Sequence, residues 1–152
     1  MKALRRTLIL AMVAILAMVA TLATGGVAAA DGAYHSERLS FSGGSDPAFH
    51  GQVVNIHANG PVNGALERYQ VVGAAPSTDY EVWIQFCDGG GFADFTQTTV
   101  LATDARGTGH ASAAFSAADL APFSGATVVI RWVLRVDASD VYATPCTTVT
   151  ID

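Results

Sequence analysis

The stretch ATVVIRWVLRV, residues 126–136, decides the fold class that this sequence predicts. Successive side chains of a β-strand point to opposite faces of the sheet, so alternate residues share a face. One face of this stretch carries only apolar residues, which are Val128, Ile130, Trp132, Leu134 and Val136. The opposite face carries Arg131 and Arg135 among valines. We therefore predict a strand that buries Trp132 in a core and places both arginines outside.

Similar short runs, rich in Val, Ile, Thr and aromatic residues, recur along the chain with Gly, Pro, Asn and Asp between them. This punctuation is typical of strands and turns. The predicted strands are 38–42, 52–58, 66–73, 80–87, 96–103, 109–115, 126–136 and 142–151. Seven to eight strands at this spacing predict an all-β protein, a single β-sandwich domain over residues 31–152.

The first thirty residues have the composition of a secretory signal peptide. Lys2, Arg5 and Arg6 precede an uncharged apolar run that ends near Ala23, and Ala28–Ala30 supplies small residues for cleavage. A transmembrane anchor is the alternative, but the run is shorter than the roughly 20 residues of a spanning helix. We expect residues 1–30 to be removed and the domain to be secreted, extracellular or periplasmic, without a membrane span.

The net charge of the chain limits the classes of molecule that we expect it to bind. The sequence has eight basic and thirteen acidic residues, and three of the basic ones lie in residues 1–30. The predicted mature chain therefore has five arginines, no lysine and a net charge of −8. Such a surface repels phosphate backbones and anionic lipid, so nucleic acid is not an expected partner.

Cys87 and Cys146 are predicted to form a disulfide, because paired cysteines in an exported protein are usually bonded. Both fall on the outward, polar positions of their predicted strands. Strands separated by a third strand lie ~9.6 Å apart, too far for a disulfide. The bond therefore predicts that strands 80–87 and 142–151 are neighbours, or that Cys87 lies beyond the end of its strand.

The segment GAAPSTDYEV, Gly73–Val82, resembles the entry to a late strand in immunoglobulin-like and fibronectin type III-like domains. In those domains, a tyrosine at this spacing bonds back to the upstream backbone. The resemblance implies an immunoglobulin-like Greek-key sandwich in which Tyr80 is the corner tyrosine, bonded near Gly73–Pro76, and Thr78 is part of the turn. More strands follow Tyr80 than is usual in these domains, so the resemblance implies no particular function.

A candidate binding surface lies on the outward positions of two predicted strands. We define the Trp83 face as Glu81, Trp83, Gln85, Arg131 and Arg135. An exposed tryptophan among polar side chains is typical of surfaces that bind carbohydrate or protein. The five residues form one surface only if strands 80–87 and 126–136 belong to the same sheet. The alternative is that an arginine stem or the loop 88–95 covers Trp83, which is then structural.

The sequence offers little support for metal binding or catalysis. The histidines, at positions 35, 50, 57 and 110, lack close ligand spacing, and no nucleophile motif is present. We therefore expect no cofactor, no metal and no catalytic residue. The expected function is a secreted, non-catalytic binding or interaction module for an extracellular carbohydrate or protein. The alternatives are a metal-binding protein or metal-dependent enzyme that uses these histidines with Asp46 or Asp94, and a structural envelope component.

The two tryptophans are expected to respond oppositely to substitution. Trp132→Ala removes a core side chain and should lower the free energy of unfolding by roughly 3–5 kcal/mol. Trp83→Ala should abolish ligand binding and barely change the thermal midpoint. Thermal and denaturant unfolding of both variants checks this difference. If Trp83→Ala unfolds the domain, Trp83 is a core residue and the Trp83 face does not exist.

Overall fold

A computed structural model describes residues 34–58 and 64–151 of the chain. The predicted signal peptide, residues 1–30, lies outside the described residues. Within the described ranges, no helix is long and apolar enough to cross a membrane.

The described residues are mostly strand, which confirms the all-β prediction. The strands are β1 (Tyr34–Gly43), β2 (His50–Ala58), β3 (Ala65–Val72), β4 (Asp79–Cys87), β5 (Phe92–Ala102), β6 (Gly109–Phe115), β7 (Ala126–Val136), β8 (Ser139–Ala143) and β9 (Thr147–Ile151). Between β6 and β7 lie a single helical turn, α1 (Ala117–Leu120), and a 3-10 turn (Ala121–Phe123). The Ser116 hydroxyl accepts a hydrogen bond from the Asp119 backbone N–H and so caps α1.

The strands form two antiparallel layers around one core. The first layer has the order β1-β2-β3-β6, and the second has β5-β4-β7, with β8 and β9 both paired to the far edge of β7. The layers join where Ser42 and Gly43 of β1 pair with β8, and where Thr103 bridges Gly109 between β5 and β6. This arrangement is compatible with the predicted β-sandwich.

The last predicted strand, 142–151, is two strands in the structure. Pro145 lies at the interruption, where its missing N–H removes a ladder hydrogen bond. Thr144 remains attached to β7, since its N–H donates to the Trp132 carbonyl at 2.9 Å and its hydroxyl accepts from the Trp132 N–H at 3.1 Å. The described chain therefore has nine strands rather than seven or eight.

The predicted disulfide between Cys87 and Cys146 is present, with the two Cα atoms 6.3 Å apart. The topology predicted from it is wrong, because β7 lies between β4 and both β8 and β9. The bond crosses over β7. This is possible because Cys146 belongs to the connection between β8 and β9, outside any regular strand, whereas Cys87 is the last residue of β4.

The core between the layers contains Trp132, as predicted from alternation in β7. Its largest fully buried side chains are Trp132, Tyr69, Tyr80, Leu101 and Leu134. Val133 was expected on the outward face of β7, yet it is fully buried. It lies between its cross-strand partners Trp83 and Ala143, so part of this outer face is shielded from solvent.

The contact implied for Tyr80 is also present. The Ala75 backbone N–H donates to the Tyr80 hydroxyl oxygen at 3.0 Å, five residues upstream of the tyrosine. Thr78 helps to form the turn, because its hydroxyl donates to the Pro76 carbonyl at 3.0 Å. This bond satisfies a loop amide and fixes the entry to β4.

We expect Tyr80→Phe to destabilise the domain by about 1 kcal/mol, because the Ala75 N–H loses its acceptor and the ring packing is kept. Urea unfolding of the two proteins measures the difference. An unchanged free energy of unfolding would mean that the corner bond contributes nothing to stability.

Candidate functional site

The two layers enclose a pocket of about 520 Å³ at one end of the core. Inward residues of both layers line it, and Leu120 and Phe123 add one wall from the connection between β6 and β7. The apolar lining includes Ile84, Phe86, Phe95, Phe115, Val128 and Ile130. The pocket is therefore mainly apolar and is formed by strands that the folded core positions.

Three phenylalanines form an aromatic cluster in the pocket wall. The Phe86 and Phe95 ring centroids are 4.9 Å apart, and Phe95 meets Phe123 edge-on at 5.2 Å. Phe95 is nevertheless 41% exposed. Aromatic surface that faces an open cavity is typical of small-molecule sites, since a ligand can bury what the fold leaves uncovered.

Two polar residues form the base of the pocket. Glu67 on β3 and Asn55 on β2 are directly opposite in the register of the two strands. Both point inward, because Glu67 shares a face with buried Tyr69 and Val71. Glu67 is 2% exposed and Asn55 is 4% exposed, so both polar groups are removed from bulk water.

Glu67 is held by hydrogen bonds to both carboxyl oxygens. The indole N–H of Trp132 donates to Oε1 at 2.8 Å, and the Tyr69 hydroxyl donates to Oε2. The Tyr69 oxygen is also 3.0 Å from the Thr98 hydroxyl. Burial raises the pKa of Glu67 to about 7, although both hydrogen bonds favour the ionised form. Glu67 therefore changes charge near neutral pH.

Asn55 carries an unsatisfied acceptor. Among the side chains that the structure describes, its Oδ1 is the buried polar atom without a hydrogen-bond partner. Leaving such an atom unpaired costs about 1–3 kcal/mol, and native proteins usually avoid this cost. Asn55 lines the pocket, but this oxygen is itself closed to solvent, so a ligand could pair with it only if neighbouring side chains moved.

The charged residues that line the pocket are acidic. They are Glu67 at the base and Asp119 in α1. The Asp119 carboxylate accepts from the Ser116 N–H and hydroxyl, and the hydroxyl bond contributes most to its lowered pKa. The described lining contains no Arg, Lys or His, so it offers an anion no cationic side chain.

The five residues of the Trp83 face lie on adjacent strands. β4 and β7 pair directly, with Glu81 opposite Arg135, Trp83 opposite Val133 and Gln85 opposite Arg131. The required condition, a shared sheet for strands 80–87 and 126–136, is therefore met. The binding role of this face stays a prediction.

Trp83 is half-buried and has partners within this face. Its indole N–H donates to Glu81 Oε2 at 2.9 Å, and the Arg135 guanidinium lies 5.0 Å from its ring centroid. This geometry matches the alternative interpretation, in which an arginine covers the tryptophan.

The remaining polar groups of the Trp83 face form an ion-pair network with two aspartates. Arg135 donates two bonds to Asp94, both 2.9 Å long, and its Nε donates to Asp140 at 2.8 Å. Gln85 Nε2 donates to Asp94 at 2.7 Å, and its Oε1 accepts from Arg131 at 2.8 Å. The Arg135 bonds lower the pKa of Asp94 to about 2. Gln85 is only 4% exposed.

The histidines lie on three strands of the first layer. His50 begins β2 and His110 lies in β6, whereas His35 and His57 are paired in the register of β1 and β2. In the part of the chain that the structure describes, no three His, Cys, Asp or Glu residues are close enough to hold a metal ion.

Neither Asn55 nor Glu67 was among the site residues predicted from the sequence. A signal for Glu67 was present, since it alternates in phase with the apolar positions Tyr69 and Val71. Asp94 and Asp140 were also not predicted as partners of the Trp83 face, because these contacts depend on how β5 pairs with β4 and how β8 pairs with β7.

Glu67 is expected to make stability depend on pH. Its pKa is raised from 4.5 to about 7 on folding. Glu67 therefore adds to the free energy of unfolding below pH 4.5, and this contribution is lost as the pH rises through 7. Relative to Glu67→Gln, the wild type should lose up to roughly 3 kcal/mol of unfolding free energy across this range. Urea unfolding of both proteins at several pH values measures the difference. Parallel pH profiles would contradict the raised pKa.

No protein-family model, curated protein or solved structure matches this chain.

Proposed function

We propose that this protein is a secreted, non-catalytic binding module that holds a small, mainly apolar molecule in the pocket between its layers. One observation carries the proposal: a cavity of about 520 Å³ whose wall is a cluster of three phenylalanines, of which Phe95 is 41% exposed. A bound apolar ligand would remove this aromatic surface from water, which favours binding.

The size of the pocket suits a small organic molecule. Its volume of about 520 Å³ falls within the range of roughly 300–1,000 Å³ that is common for ligand sites. At roughly 30 Å³ per water-sized group, such a volume holds on the order of fifteen to twenty non-hydrogen atoms. The three-phenylalanine wall supplies the apolar contact that would hold the body of the ligand.

The hydrogen bonds of Glu67 and the residues around it favour a binding function over a catalytic one. Both carboxyl oxygens of Glu67 are already engaged, by Trp132 and Tyr69. Among the described lining residues, no Ser, Cys or His stands beside this carboxyl as a nucleophile or relay. The pocket therefore supports a receptor or carrier function better than an enzymatic one.

Two further observations support secretion and the finer fold proposal. A disulfide such as Cys87–Cys146 persists in oxidising compartments outside the cytosol, which agrees with an N-terminal signal peptide. The bond between Ala75 and Tyr80 supports an immunoglobulin-like Greek-key sandwich.

The Trp83 face is the weaker of the two candidate binding surfaces. Its arginines are already paired with Asp94 and Asp140, and its tryptophan N–H with Glu81. A carbohydrate or protein ligand would have to break or bridge these bonds. The pocket, in contrast, offers aromatic surface that the fold leaves uncovered, since Phe95 lines it and is 41% exposed.

Binding of N-phenyl-1-naphthylamine, a neutral dye that fluoresces in apolar surroundings, tests the pocket. We expect saturable fluorescence enhancement with the full mature protein. Val128→Trp should reduce the enhancement by about tenfold or more, because Val128 lines the pocket and a larger side chain there fills it.

Val129→Trp is the matched control, since Val129 is the next residue of β7, is 40% exposed and does not line the pocket. It should bind the dye as the wild type does. Absence of saturable binding by the wild type, or equal binding by the two tryptophan variants, would refute the pocket as the site.

A further inference from the structure

We propose that the outer face of the first layer binds an anionic polysaccharide, whose carboxylate or sulfate groups pair with Arg38 and Arg68. We define the Arg68 face as the outward residues of β1, β2, β3 and β6, which alternate with the inward residues of these strands. This surface lies on the opposite side of the layer from the pocket. The inference therefore does not depend on the proposed function of the pocket.

Strand pairing aligns two arginines across the Arg68 face. Arg38 in β1 and Arg68 in β3 both lie directly opposite Val54 of β2, and Ser112 of β6 lies opposite Arg68. Neighbouring strands are ~4.8 Å apart, so the two arginine Cα atoms are separated by ~9.6 Å. Both arginines are exposed. Two anionic groups of one polymer can therefore bind both arginines at once.

A second row of polar side chains lies beside the arginines. Ser40, Gln52, Gln70 and His110 are aligned across the same four strands. The Gln52 amide donates to Gln70 Oε1 at 3.1 Å. This bond occupies the carbonyl oxygen of Gln70 and not its amide group, which can donate to a ligand. Hydroxyl, amide and imidazole groups of this kind form hydrogen bonds with the hydroxyl groups of sugars.

The charged residues of the Arg68 face are positive, although the protein as a whole is acidic. The four strands contain two acidic residues, Glu37 and Glu67. Both point inward, because they alternate in phase with buried Phe41 and Tyr69. Charges elsewhere on the protein are largely screened beyond ~8 Å at physiological ionic strength, so the arginines dominate the field at this face.

Arg38 and Arg68 are available to a ligand. Within the ranges 34–58 and 64–151, the arginines that form ion pairs are Arg131 and Arg135, on the other layer. Arginine forms two parallel hydrogen bonds with a carboxylate, and its guanidinium donors also suit the oxygens of a sulfate group.

The face is also concave beside Arg68. A depression of about 470 Å³ lies there, and its lining includes Gln52, Gln70, His110 and Ser112. One arginine and most of the polar row therefore border the same recess. A sugar ring in this recess would contact several hydrogen-bonding side chains together with a positive charge.

Strand pairing favours a polysaccharide over an acidic peptide. β2 and β3 are each paired on both sides, so the backbone groups at the centre of the Arg68 face are already bonded. An extended peptide that adds to a sheet needs a free strand edge. A polysaccharide needs only side-chain contacts, which this face supplies.

Calorimetric titration with three dextrans tests the proposal on the full mature protein. Carboxymethyl-dextran and dextran sulfate should bind saturably in about 50 mM salt and lose affinity as the salt concentration rises, whereas uncharged dextran should not bind. Poly-L-glutamate of similar length is the fourth probe and should bind at least severalfold more weakly than carboxymethyl-dextran. The tighter of the two charged dextrans identifies the anionic group.

Variants of exposed arginines assign the binding to this face. Arg38→Gln and Arg68→Gln should each weaken the binding of the charged dextrans by about tenfold, because each removes a charge-assisted hydrogen-bond donor group. Arg106→Gln is the matched control, since it removes the same charge from an exposed position in the loop between β5 and β6. It should retain the affinity within about twofold.

Three outcomes would overturn the proposal. The first is that neither charged dextran binds saturably. The second is that Arg106→Gln weakens binding as much as the two variants of the face, which would assign the effect to net charge. The third is that poly-L-glutamate binds as tightly as carboxymethyl-dextran, which would identify a surface for acidic polypeptides. None of these results bears on the pocket, which the dye tests separately.

Discussion

The hydrogen bond from the Trp132 indole to Glu67 joins the two layers across the centre of the domain. It places the Glu67 carboxyl where the residue is only 2% exposed, and the Tyr69 hydroxyl supplies a second donor to this buried group. Trp132, Leu134 and Tyr80 belong to the buried core cluster. Glu67 also lines the pocket, so the same carboxyl borders both the core and the cavity.

The outer face of the second layer constrains the position of β7 from the side opposite the core. Arg135 ties β7 to β5 and β8 through Asp94 and Asp140, while the disulfide passes over β7. Bidentate arginine bonds of this kind fix geometry as well as adding energy. The Trp83 face therefore fixes the position of β7, and with it the inward Trp132 that positions Glu67.

The alternation of apolar and polar residues along single strands predicted much of the fold. The features that it did not predict depend on how separate strands are placed relative to one another. The pattern of residues 126–136 gave β7 and the burial of Trp132, and the spacing before Tyr80 gave its bond to Ala75. The disulfide topology failed because strand spacing was applied to Cys146, which lies outside a regular strand beside Pro145. The pocket was not predictable, since it depends on where two layers separate, which no single strand specifies.

Burial of the Glu67 carboxyl costs folding free energy, and its hydrogen bonds to Trp132 and Tyr69 do not by themselves require a carboxyl. A glutamine has the same length, and its oxygen can accept from Trp132 while its amide donates to the Tyr69 oxygen, without a charge to bury. A buried carboxyl is generally less stable than such a neutral replacement unless a partner compensates the charge. In the described structure, Tyr69 and Trp132 supply donors and no positive charge. Burial without a positive partner therefore accounts for the pKa of about 7, and it makes the neutral carboxyl the stable form of Glu67 at acidic pH.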